Sequence, residues 1–478
     1  MKNLRGVWQN YINGEWRDSS KTIVINNPAT GKPYAEIACA TTADVDAAVA
    51  AARSAFKTRA LYEMTPHNRM MLLLRIANEI RALASEIEPV MVGENGKSVG
   101  FAKDEIESTA QYFEYYGGVA DKMFGKSIPL GGGYVDYTQL VPLGVSAQIV
   151  PWNFPLEIAA RSIAPALATG CAVVCKSPEL SPLSICFIAT ACERAGLPKG
   201  YINILCGYGN EVGEAMSGHP DINNVVFTGS VITGQRILRR AAETIIPCVL
   251  ELGGKSAGIV YKDADLDATA SSAAIGIFAH GGQVCSAGSR LIVHSSVHDQ
   301  VVDKMVAWVK SKTMGPGSED HFLTPLISAA QRDKVEAFAL AAVQAGATAV
   351  TGGRRPADLP GFYMQPTILT DVKPDMDIST SEVFGPVLSV LKFDEPEEAL
   401  AIANKSEYGL AAGVYTRDLK LAHWTADRLE AGTIFINQWF VGGNETPFGG
   451  FKKSGIGREK GVEALANYYQ TRNVGIRL

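Results

Sequence analysis

The chain has 478 residues, of which 47% are hydrophobic and 19% are charged. This length exceeds what one hydrophobic core needs, so we expect two or three domains of a globular protein. The formal net charge of −5 argues against nucleic acid as the main partner, because phosphate binding requires a basic surface.

The sequence shows no targeting or membrane segment. Residues 1–10 lack the apolar region of a signal peptide. The most apolar stretch, residues 156–174, is interrupted by Glu157, Arg161 and Pro165, which indicates a buried element and not a membrane span. The eight cysteines are scattered without zinc-ligand spacing. We therefore predict a cytoplasmic protein with reduced thiols, no metal site and no membrane partner.

Helices are predicted first along the chain. Residues 42–60, 66–88 and 104–117 each carry apolar residues at helical spacing. Residues 126–141 then combine a Gly-rich turn with alternating side chains, which is typical of a β-hairpin. Residues 466–478 alternate weakly, and we expect both segments to form a small projecting sheet.

Short apolar runs then alternate with helical patterns, which predicts βαβ units and a parallel, doubly wound sheet. The runs are residues 145–150, 172–175, 202–205, 225–227 and 248–250. Such a sheet binds ligands at the carboxyl ends of its strands. The alternation restarts after Lys255 with residues 258–261, 264–279 and 290–293. We therefore predict a second α/β domain, which carries Cys285.

Cys285 is the first candidate catalytic residue, because it lies in the small, Gly-rich segment Phe278–Arg290. A thiol becomes a strong nucleophile where its surroundings favour the thiolate. The alternative is a buried structural cysteine, which is how we interpret the other seven.

Two further residues have the chemistry that a nucleophilic thiol needs. Glu251 directly follows an apolar run and would act as a general base if it is partly buried, or as a helix cap or solvated carboxylate if it is not. Asn153 lies between two aromatic residues and two prolines in Pro151–Pro155. A rigidly held amide suits an oxyanion hole, and a turn asparagine is the alternative.

Weaker patterns point to a nucleotide. Gly229 and Gly234 follow a predicted strand and begin a helix, where free N–H groups suit a pyrophosphate, although the spacing differs from G-x-G-x-x-G. Lys176 and Glu179 follow another strand and would hold ribose hydroxyls or form an exposed ion pair.

Taken together, six segments resemble those of the aldehyde dehydrogenase superfamily in order and spacing, in its NAD(P)-dependent, non-acylating branch. They are residues 151–155, 227–230, 250–255, 282–285, 382–386 and 447–458. The resemblance begins at Tyr11–Trp16 and implies an α/β fold with three parts. These are a Rossmann-like doubly wound cofactor domain (residues 1–119 and 143–253), a second α/β catalytic domain (254–453) and a small β oligomerisation arm (120–142 and 454–478).

The resemblance also implies residue roles. Cys285 would attack the aldehyde, the Asn153 amide and the backbone N–H of Cys285 would hold the oxyanion, and Glu251 would activate water to hydrolyse the thioester. The implied NAD-binding residues are Ile149, Pro151, Trp152, Lys176, Glu179, Gly209, Gly229, Ser230, Gly234, Leu252, Glu382 and Phe384. A carboxylate at Glu179 favours NAD over NADP, because it would accept hydrogen bonds from ribose hydroxyls and repel a 2′-phosphate.

The sequence departs from many relatives at Arg161 and Ser162, where they carry Trp-Lys. Arg161 resembles semialdehyde dehydrogenases, in which it meets a substrate carboxylate, and also aromatic-aldehyde dehydrogenases. Pairing of Arg161 with Glu157 on the same helix is the alternative.

Trp439 and Phe440 fall where the family lines its substrate mouth. Together with Phe154 and Tyr112 or Phe113 they imply a substrate pocket for a hydrophobic or aromatic aldehyde, and core packing of these side chains is the alternative.

We therefore predict an NAD-dependent enzyme that oxidises such an aldehyde to the carboxylic acid. A semialdehyde dehydrogenase, a CoA-acylating relative and a non-catalytic crystallin-like relative are the alternatives. The hairpin and the C-terminal strand of the resemblance imply a homo-oligomer, either a dimer or a tetramer.

Overall fold

The computed structural model describes all 478 residues, Met1–Leu478. Its strands are β1 (Asn10–Ile12), β2 (Glu15–Arg17), β3 (Thr22–Asn27), β4 (Lys32–Ala38), β5 (Ser127–Ile128), β6 (Tyr134–Pro142), β7 (Val145–Ile149), β8 (Ala172–Ser177), β9 (Ile202–Cys206), β10 (Asn224–Thr228), β11 (Cys248–Glu251), β12 (Ala257–Val260), β13 (Arg290–His294), β14 (Thr348–Thr351), β15 (Thr367–Thr370), β16 (Val387–Phe393), β17 (Tyr408–Gly409), β18 (Ala411–Tyr415), β19 (Thr433–Ile436), β20 (Phe451–Lys452), β21 (Gly455–Ile456) and β22 (Tyr469–Arg477).

Fifteen α-helices connect and cover the sheets. They are α1 (Thr42–Lys57), α2 (Ala60–Glu63), α3 (Pro66–Ala82), α4 (Ala84–Asn95), α5 (Val99–Val119), α6 (Pro155–Thr169), α7 (Cys186–Arg194), α8 (Glu214–Ser217), α9 (Val231–Thr244), α10 (Leu266–Phe278), α11 (His298–Lys310), α12 (Ala329–Gln344), α13 (Asp377–Thr380), α14 (Pro396–Asn404) and α15 (Leu419–Arg428). None of these helices is both long and apolar enough to span a lipid bilayer.

The first large sheet has eight strands in the order β2-β1-β9-β8-β7-β10-β11-β21. Its five central strands are parallel. Every residue of β7 to β10 is buried, as expected for continuous apolar runs covered by helices on both faces. From β7 the chain continues to β8 and β9 on one side of β7, and it then crosses to β10 and β11 on the other side. Such a reversal of strand order leaves a crevice for ligands at the carboxyl ends of β7 and β10.

The second large sheet has seven strands in the order β14-β15-β16-β13-β12-β18-β19, all parallel except β14. Separate apolar clusters cover its two faces. The loop between α10 and β13 carries Cys285. Two sheets of mainly parallel strands with helices between them confirm the predicted α/β fold class.

The small antiparallel sheet has the order β22-β6-β5. Strand β6 pairs along its whole length with β22, so the predicted hairpin and the C-terminal strand do combine. Before β22, the chain first returns to the first sheet, where β21 pairs with β11. Ala464, Leu465 and Tyr468 also pack in the core of the first sheet. Residues 455–468 therefore connect the first sheet to the small one.

The helices differ most from the sequence-based bounds between residues 66 and 119. The helix predicted over residues 66–88 is two helices, α3 and α4, which meet at Leu83. Helix α5 begins at Val99, five residues before the predicted start of residue 104, because the Ser98 side chain accepts a hydrogen bond from Phe101 N at 3.2 Å and caps it. This junction places the side chains of Asn95 and Lys97 within hydrogen-bond distance of the backbone carbonyls of Trp152 and Asn153.

Candidate active site

Cys285 lies in a tightly folded loop that follows α10. Three successive residues, His280, Gly281 and Gly282, have positive φ angles of 50°, 62° and 70°. A Cβ atom at Gly282 would lie 2.3 Å from the Gly385 carbonyl oxygen, so only glycine permits this close approach. On the other side of the loop, Trp439 Nε1 donates to the Ser286 carbonyl at 3.0 Å. The backbone around the thiol is therefore held from two sides.

Two cavities meet at Cys285. One has a volume of about 740 Å³ and mainly apolar walls. The other has a volume of about 200 Å³ and lies at the carboxyl ends of the first sheet's strands. Cys285 and Asn153 line both cavities. A ligand in one cavity would therefore meet a ligand in the other at the thiol.

Asn153 lies in the turn between β7 and α6, and it is buried. Its side-chain Nδ2 donates to the Gln283 carbonyl at 2.9 Å, which links this turn to the cysteine loop. An amide nitrogen carries two hydrogens, so one N–H remains for an oxyanion. Asn153 is therefore a turn residue, but a buried one whose side-chain amide is held by the cysteine loop.

Glu251 is the last residue of β11, and it is neither a helix cap nor solvated. It is 2% exposed, and neither carboxylate oxygen has a hydrogen-bond partner. Burial raises the pKa of Glu251 well above its ordinary value, and the charge of Glu459 raises it further, whereas Arg161 and Arg458 oppose the shift. A buried acid with a raised pKa is suited to general base catalysis.

The thiol of Cys285 is protonated at neutral pH in this state. Burial raises the pKa of Cys285 to about 12, while Arg161 opposes the shift and Glu251 adds to it. Because the thiolate is the nucleophile, the loss of this proton must accompany ligand binding or the attack itself.

The smaller cavity brings together most of the predicted cofactor residues. Those that line it are Pro151, Trp152, Gly229, Ser230, Leu252, Glu382 and Phe384. The rest continue along the same edge of the sheet. A Cβ atom at Gly213 would lie within 4.0 Å of Lys176 and Ile149 side chains, and one at Gly234 would lie 2.9 Å from Leu252. Lys176 Nζ pairs with Glu179 Oε2 at 3.1 Å, and Gly209 begins the single π-helical turn Gly209–Gly213.

This edge fits an extended dinucleotide. The Gly229 N–H itself is engaged by the Glu251 carbonyl at 2.9 Å. The N–H groups available at the start of α9 are therefore those of Val231 and Ile232, which have no partner within the helix. Such a helix start attracts a pyrophosphate.

Two residues of the cleft escaped the sequence analysis. Gln331 and Lys334 of α12 line the smaller cavity, and Gln331 Nε2 donates to the Phe384 carbonyl at 2.8 Å. Their three-residue spacing places them on one face of α12, but a polar face of a surface helix carries no sign of a ligand. The neighbouring Glu382 Oε1 accepts from Gly254 N at 2.9 Å.

The larger cavity is predominantly aromatic and aliphatic. Phe154 lies on its wall, together with Phe101, Phe435, Phe440 and Phe448. Tyr112 also lines it, whereas Phe113 does not.

Trp439 does not line the cavity, so its predicted place in the pocket is wrong. Its indole is 4% exposed and packs behind the cysteine loop. A Cβ atom at Gly276, Gly288 or Gly413 would lie 2.8, 3.2 or 2.4 Å from the indole ring. These glycines leave space for the ring on the inner side, and Phe440 faces the cavity instead.

Arg161 lines the larger cavity, but its charge is already compensated. Its Nη2 forms an ion pair with the buried Glu459 and a 3.2 Å hydrogen bond with Thr228 Oγ1. Ser162 Oγ donates to the other oxygen of Glu459 at 2.7 Å. The ion-pair partner of Arg161 is therefore Glu459, and the alternative pairing with Glu157 is wrong. A fully buried carboxylate requires this countercharge more than the partly exposed Glu157 does.

Comparisons with known proteins agree with this geometry. Residues 16–474 match the family model described as the Aldehyde dehydrogenase family. An aldehyde dehydrogenase of Aspergillus niger is 41% identical over 472 residues, which cover 98% of this chain and 95% of that protein.

Solved structures give the same result. An aldehyde dehydrogenase from Bacillus cereus in complex with NAD+ has a TM-score of 0.97 at 41% identity, covering 99% of this chain and 97% of that one. An indole-3-acetaldehyde dehydrogenase in complex with NAD+ has a TM-score of 0.97 at 37% identity, covering 98% of this chain and 97% of that one. The chain therefore belongs to the aldehyde dehydrogenase family.

Proposed function

We propose that Cys285, Asn153 and Glu251 carry out the NAD-dependent oxidation of an aldehyde to its carboxylic acid. The observation that carries this proposal is the position of Cys285 and Asn153 at the junction of the two cavities. An aldehyde in the larger cavity and a dinucleotide in the smaller one would both reach the thiol.

The first step forms a bond between Cys285 Sγ and the aldehyde carbon. The thiol gives its proton to solvent water as the S–C bond forms, and the carbonyl oxygen becomes an oxyanion. The free N–H of the Asn153 amide and the backbone N–H of Cys285 would stabilise that charge, which is the largest contribution such a site makes. When the oxyanion collapses, a hydride leaves the carbon and a thioester with Cys285 remains.

The second step hydrolyses the thioester. Glu251 would accept a proton from water, the hydroxide would attack the acyl carbon, and the bond to sulfur would break. The products are the carboxylic acid and the Cys285 thiolate. A CoA-acylating enzyme would not need this base, so the buried and unpartnered carboxylate of Glu251 argues against that alternative.

The smaller cavity would hold NAD. Trp152, Glu382 and Phe384 would surround the nicotinamide end, and Lys176 with Glu179 would receive the adenosine ribose. NAD supplies a hydride acceptor when bound. We propose a preference for NAD over NADP, because the Glu179 carboxylate at the ribose end of the cleft would repel a 2′-phosphate.

We propose that the aldehyde is hydrophobic or aromatic. The phenylalanine walls of the larger cavity support this class, and the similar indole-3-acetaldehyde dehydrogenase is named for an aldehyde that carries an aromatic ring system. The ion pair between Arg161 and Glu459 counts against a semialdehyde. A substrate carboxylate would have to compete with a carboxylate that is already buried beside this guanidinium.

We further propose a cytoplasmic homo-oligomer, either a dimer or a tetramer. Eight unpaired cysteines support a reducing compartment. We divide the chain into a cofactor domain (1–119 and 143–253), a catalytic domain (254–453) and an oligomerisation arm (120–142 and 454–478). The outer edge of β22, in the arm, would pair with another copy of the chain. An open strand edge favours such pairing.

The substitution Cys285→Ala tests the mechanism. We expect NADH formation from benzaldehyde and hexanal to fall to background, because no other side chain at the junction can form the thioester, while the dissociation constant for NAD stays unchanged. Cys248→Ala is the matched control, since this half-buried cysteine lies outside both cavities. Turnover in Cys285→Ala would contradict the proposal.

A further inference from the structure

A buried ion pair lies directly beneath the turn that carries Asn153. It joins Lys97, in the junction between α4 and α5, to Glu105 of α5. The side chains are 0% and 1% exposed. Neither residue lines the larger or the smaller cavity, so the proposed mechanism does not use them directly.

Both partners contact the backbone around Asn153. Lys97 Nζ donates to the backbone carbonyl of Asn153 at 3.1 Å. Glu105 Oε1 accepts from Leu156 N at 3.0 Å and from Glu157 N at 3.2 Å, the first two N–H groups available after Pro155 at the start of α6. One ion pair therefore holds the turn on both sides of Asn153.

Two further contacts fix the same segment. Lys97 Nζ lies 4.5 Å from the centroid of the Phe154 ring, within the range of a cation–π interaction. Asn95 Nδ2 donates to the Trp152 carbonyl at 2.7 Å. Three consecutive residues, 152 to 154, are thus anchored to the junction between α4 and α5.

A buried ion pair is a weak source of stability, because its desolvation offsets most of its attraction. A well-packed apolar pair would serve the fold about as well. Catalysis through an oxyanion hole depends on the position of the donor, and a displacement of about 1 Å can cost about a hundredfold in rate. The contacts of this pair fall where they fix that donor.

We infer that Lys97 and Glu105 are positioning residues, which hold the Asn153 amide in the orientation that binds the oxyanion. This inference rests on the proposed role of Asn153. It predicts that loss of the pair slows hydride transfer, whereas the affinity for NAD and the KM for the aldehyde change little.

The test uses the double substitution Lys97→Met/Glu105→Gln in the full chain. Removing both charges avoids leaving one of them buried and unpaired, and the glutamine oxygen can still accept from Leu156 N and Glu157 N. The rate constant of the pre-steady-state NADH burst with benzaldehyde should fall by about tenfold to a hundredfold.

Glu94→Gln is the matched control. Glu94 is equally buried and likewise accepts from two successive backbone N–H groups, those of Leu183 and Ser184 at the approach to α7, but it does not contact the Asn153 turn. We expect Glu94→Gln to lower the melting temperature and to leave the burst rate at the wild-type value.

A double-mutant cycle with Asn153→Ala separates positioning from general damage. If the pair acts through Asn153, its removal should cost little further rate in the Asn153→Ala background. An equal loss in both backgrounds would overturn the inference, as would a wild-type burst rate in the folded double variant. If Asn153→Ala alone left the burst unchanged, the proposed role of Asn153 would be wrong instead.

If the double variant fails to fold, Lys97→Arg serves as the second test. It keeps the charge but presents a planar guanidinium, which cannot reproduce the contact of one ammonium with Glu105 and the Asn153 carbonyl. The burst rate should fall with the affinity for NAD retained, and a wild-type burst rate would overturn the inference.

Discussion

Two buried glutamates near the reaction centre, Glu105 and Glu251, differ in how their charge is satisfied. Glu105 pairs with Lys97 and accepts two backbone N–H groups. Glu251 has no hydrogen-bond partner on either oxygen. A buried carboxylate with hydrogen-bond partners holds backbone in place, whereas one without partners has a raised pKa and is suited to proton transfer.

Substitution of Glu251 should have the strongest effect, and it should slow a different step from substitution of Glu105. Glu251→Gln removes the proton acceptor of the second step, so the steady-state rate should fall by about 10²-fold to 10⁴-fold. The pre-steady-state burst of NADH should persist, because the first step does not require Glu251. Stopped-flow absorbance at the NADH band measures both quantities.

Glu105→Gln is the comparison for that experiment. It should lower the burst rate itself and leave the hydrolysis of an already formed thioester less affected. If Glu251→Gln abolished the burst, Glu251 would have to act in thiol deprotonation as well.

The next effect concerns stability. Glu105→Ala leaves Lys97 buried without a countercharge and leaves Leu156 N and Glu157 N without their acceptor, so the free energy of unfolding should fall by about 3–5 kcal/mol. Denaturant titration followed by tryptophan fluorescence measures this change. Lys97→Met/Glu105→Gln should lose clearly less, and an equal loss in both variants would show that the charge imbalance is not the cause.

The smallest effect is a gain that depends on pH. Because burial raises the pKa of Glu251 in the folded chain, the folded state holds this proton more tightly than the unfolded chain does. The stabilisation of the folded chain by this bound proton is complete below the ordinary glutamate pKa. It is lost as the pH rises through the folded-state pKa of Glu251. Glu251→Gln should therefore gain stability over the wild type as the pH rises above the ordinary glutamate pKa, from about pH 4 towards neutral pH.

The same denaturant titration, repeated across that pH range, measures the difference between the variant and the wild type. A difference that did not vary with pH would mean that the folded state does not raise the pKa of Glu251. It would also remove the contrast with Glu105.

The fold was largely predictable, because its strands are continuous apolar runs separated by helical patterns. For the same reason, the end of such a run marked Glu251, and the glycines around Cys285 marked the thiol. These signals are local in the sequence. Each depends on a few neighbouring residues and on the rule that parallel strands bring their carboxyl ends to one edge.

The contacts that hold the site were not predictable, because they join distant parts of the chain. The partner of Arg161 is Glu459, near the C-terminus, and not Glu157 one helical turn away. In the sequence, nothing distinguishes Lys97 and Glu105, which form a buried ion pair, from other charged residues. Two adjacent aromatic residues, Trp439 and Phe440, gave no indication of which one faces the cavity. Packing between distant segments determines each of these side-chain positions, and the local spacing of residue types does not predict such packing.

The position of Trp439 has a consequence for altering the substrate range by directed evolution. The indole fills the space above Gly276, Gly288 and Gly413 and holds the Ser286 carbonyl. Larger residues at those glycines would push the indole and displace the loop that carries the thiol. Mutational libraries should therefore leave this inner layer unchanged and vary the cavity side, where Ile275 precedes Gly276 and is 40% exposed. Neighbouring positions of α10 thus differ sharply in how much change they tolerate.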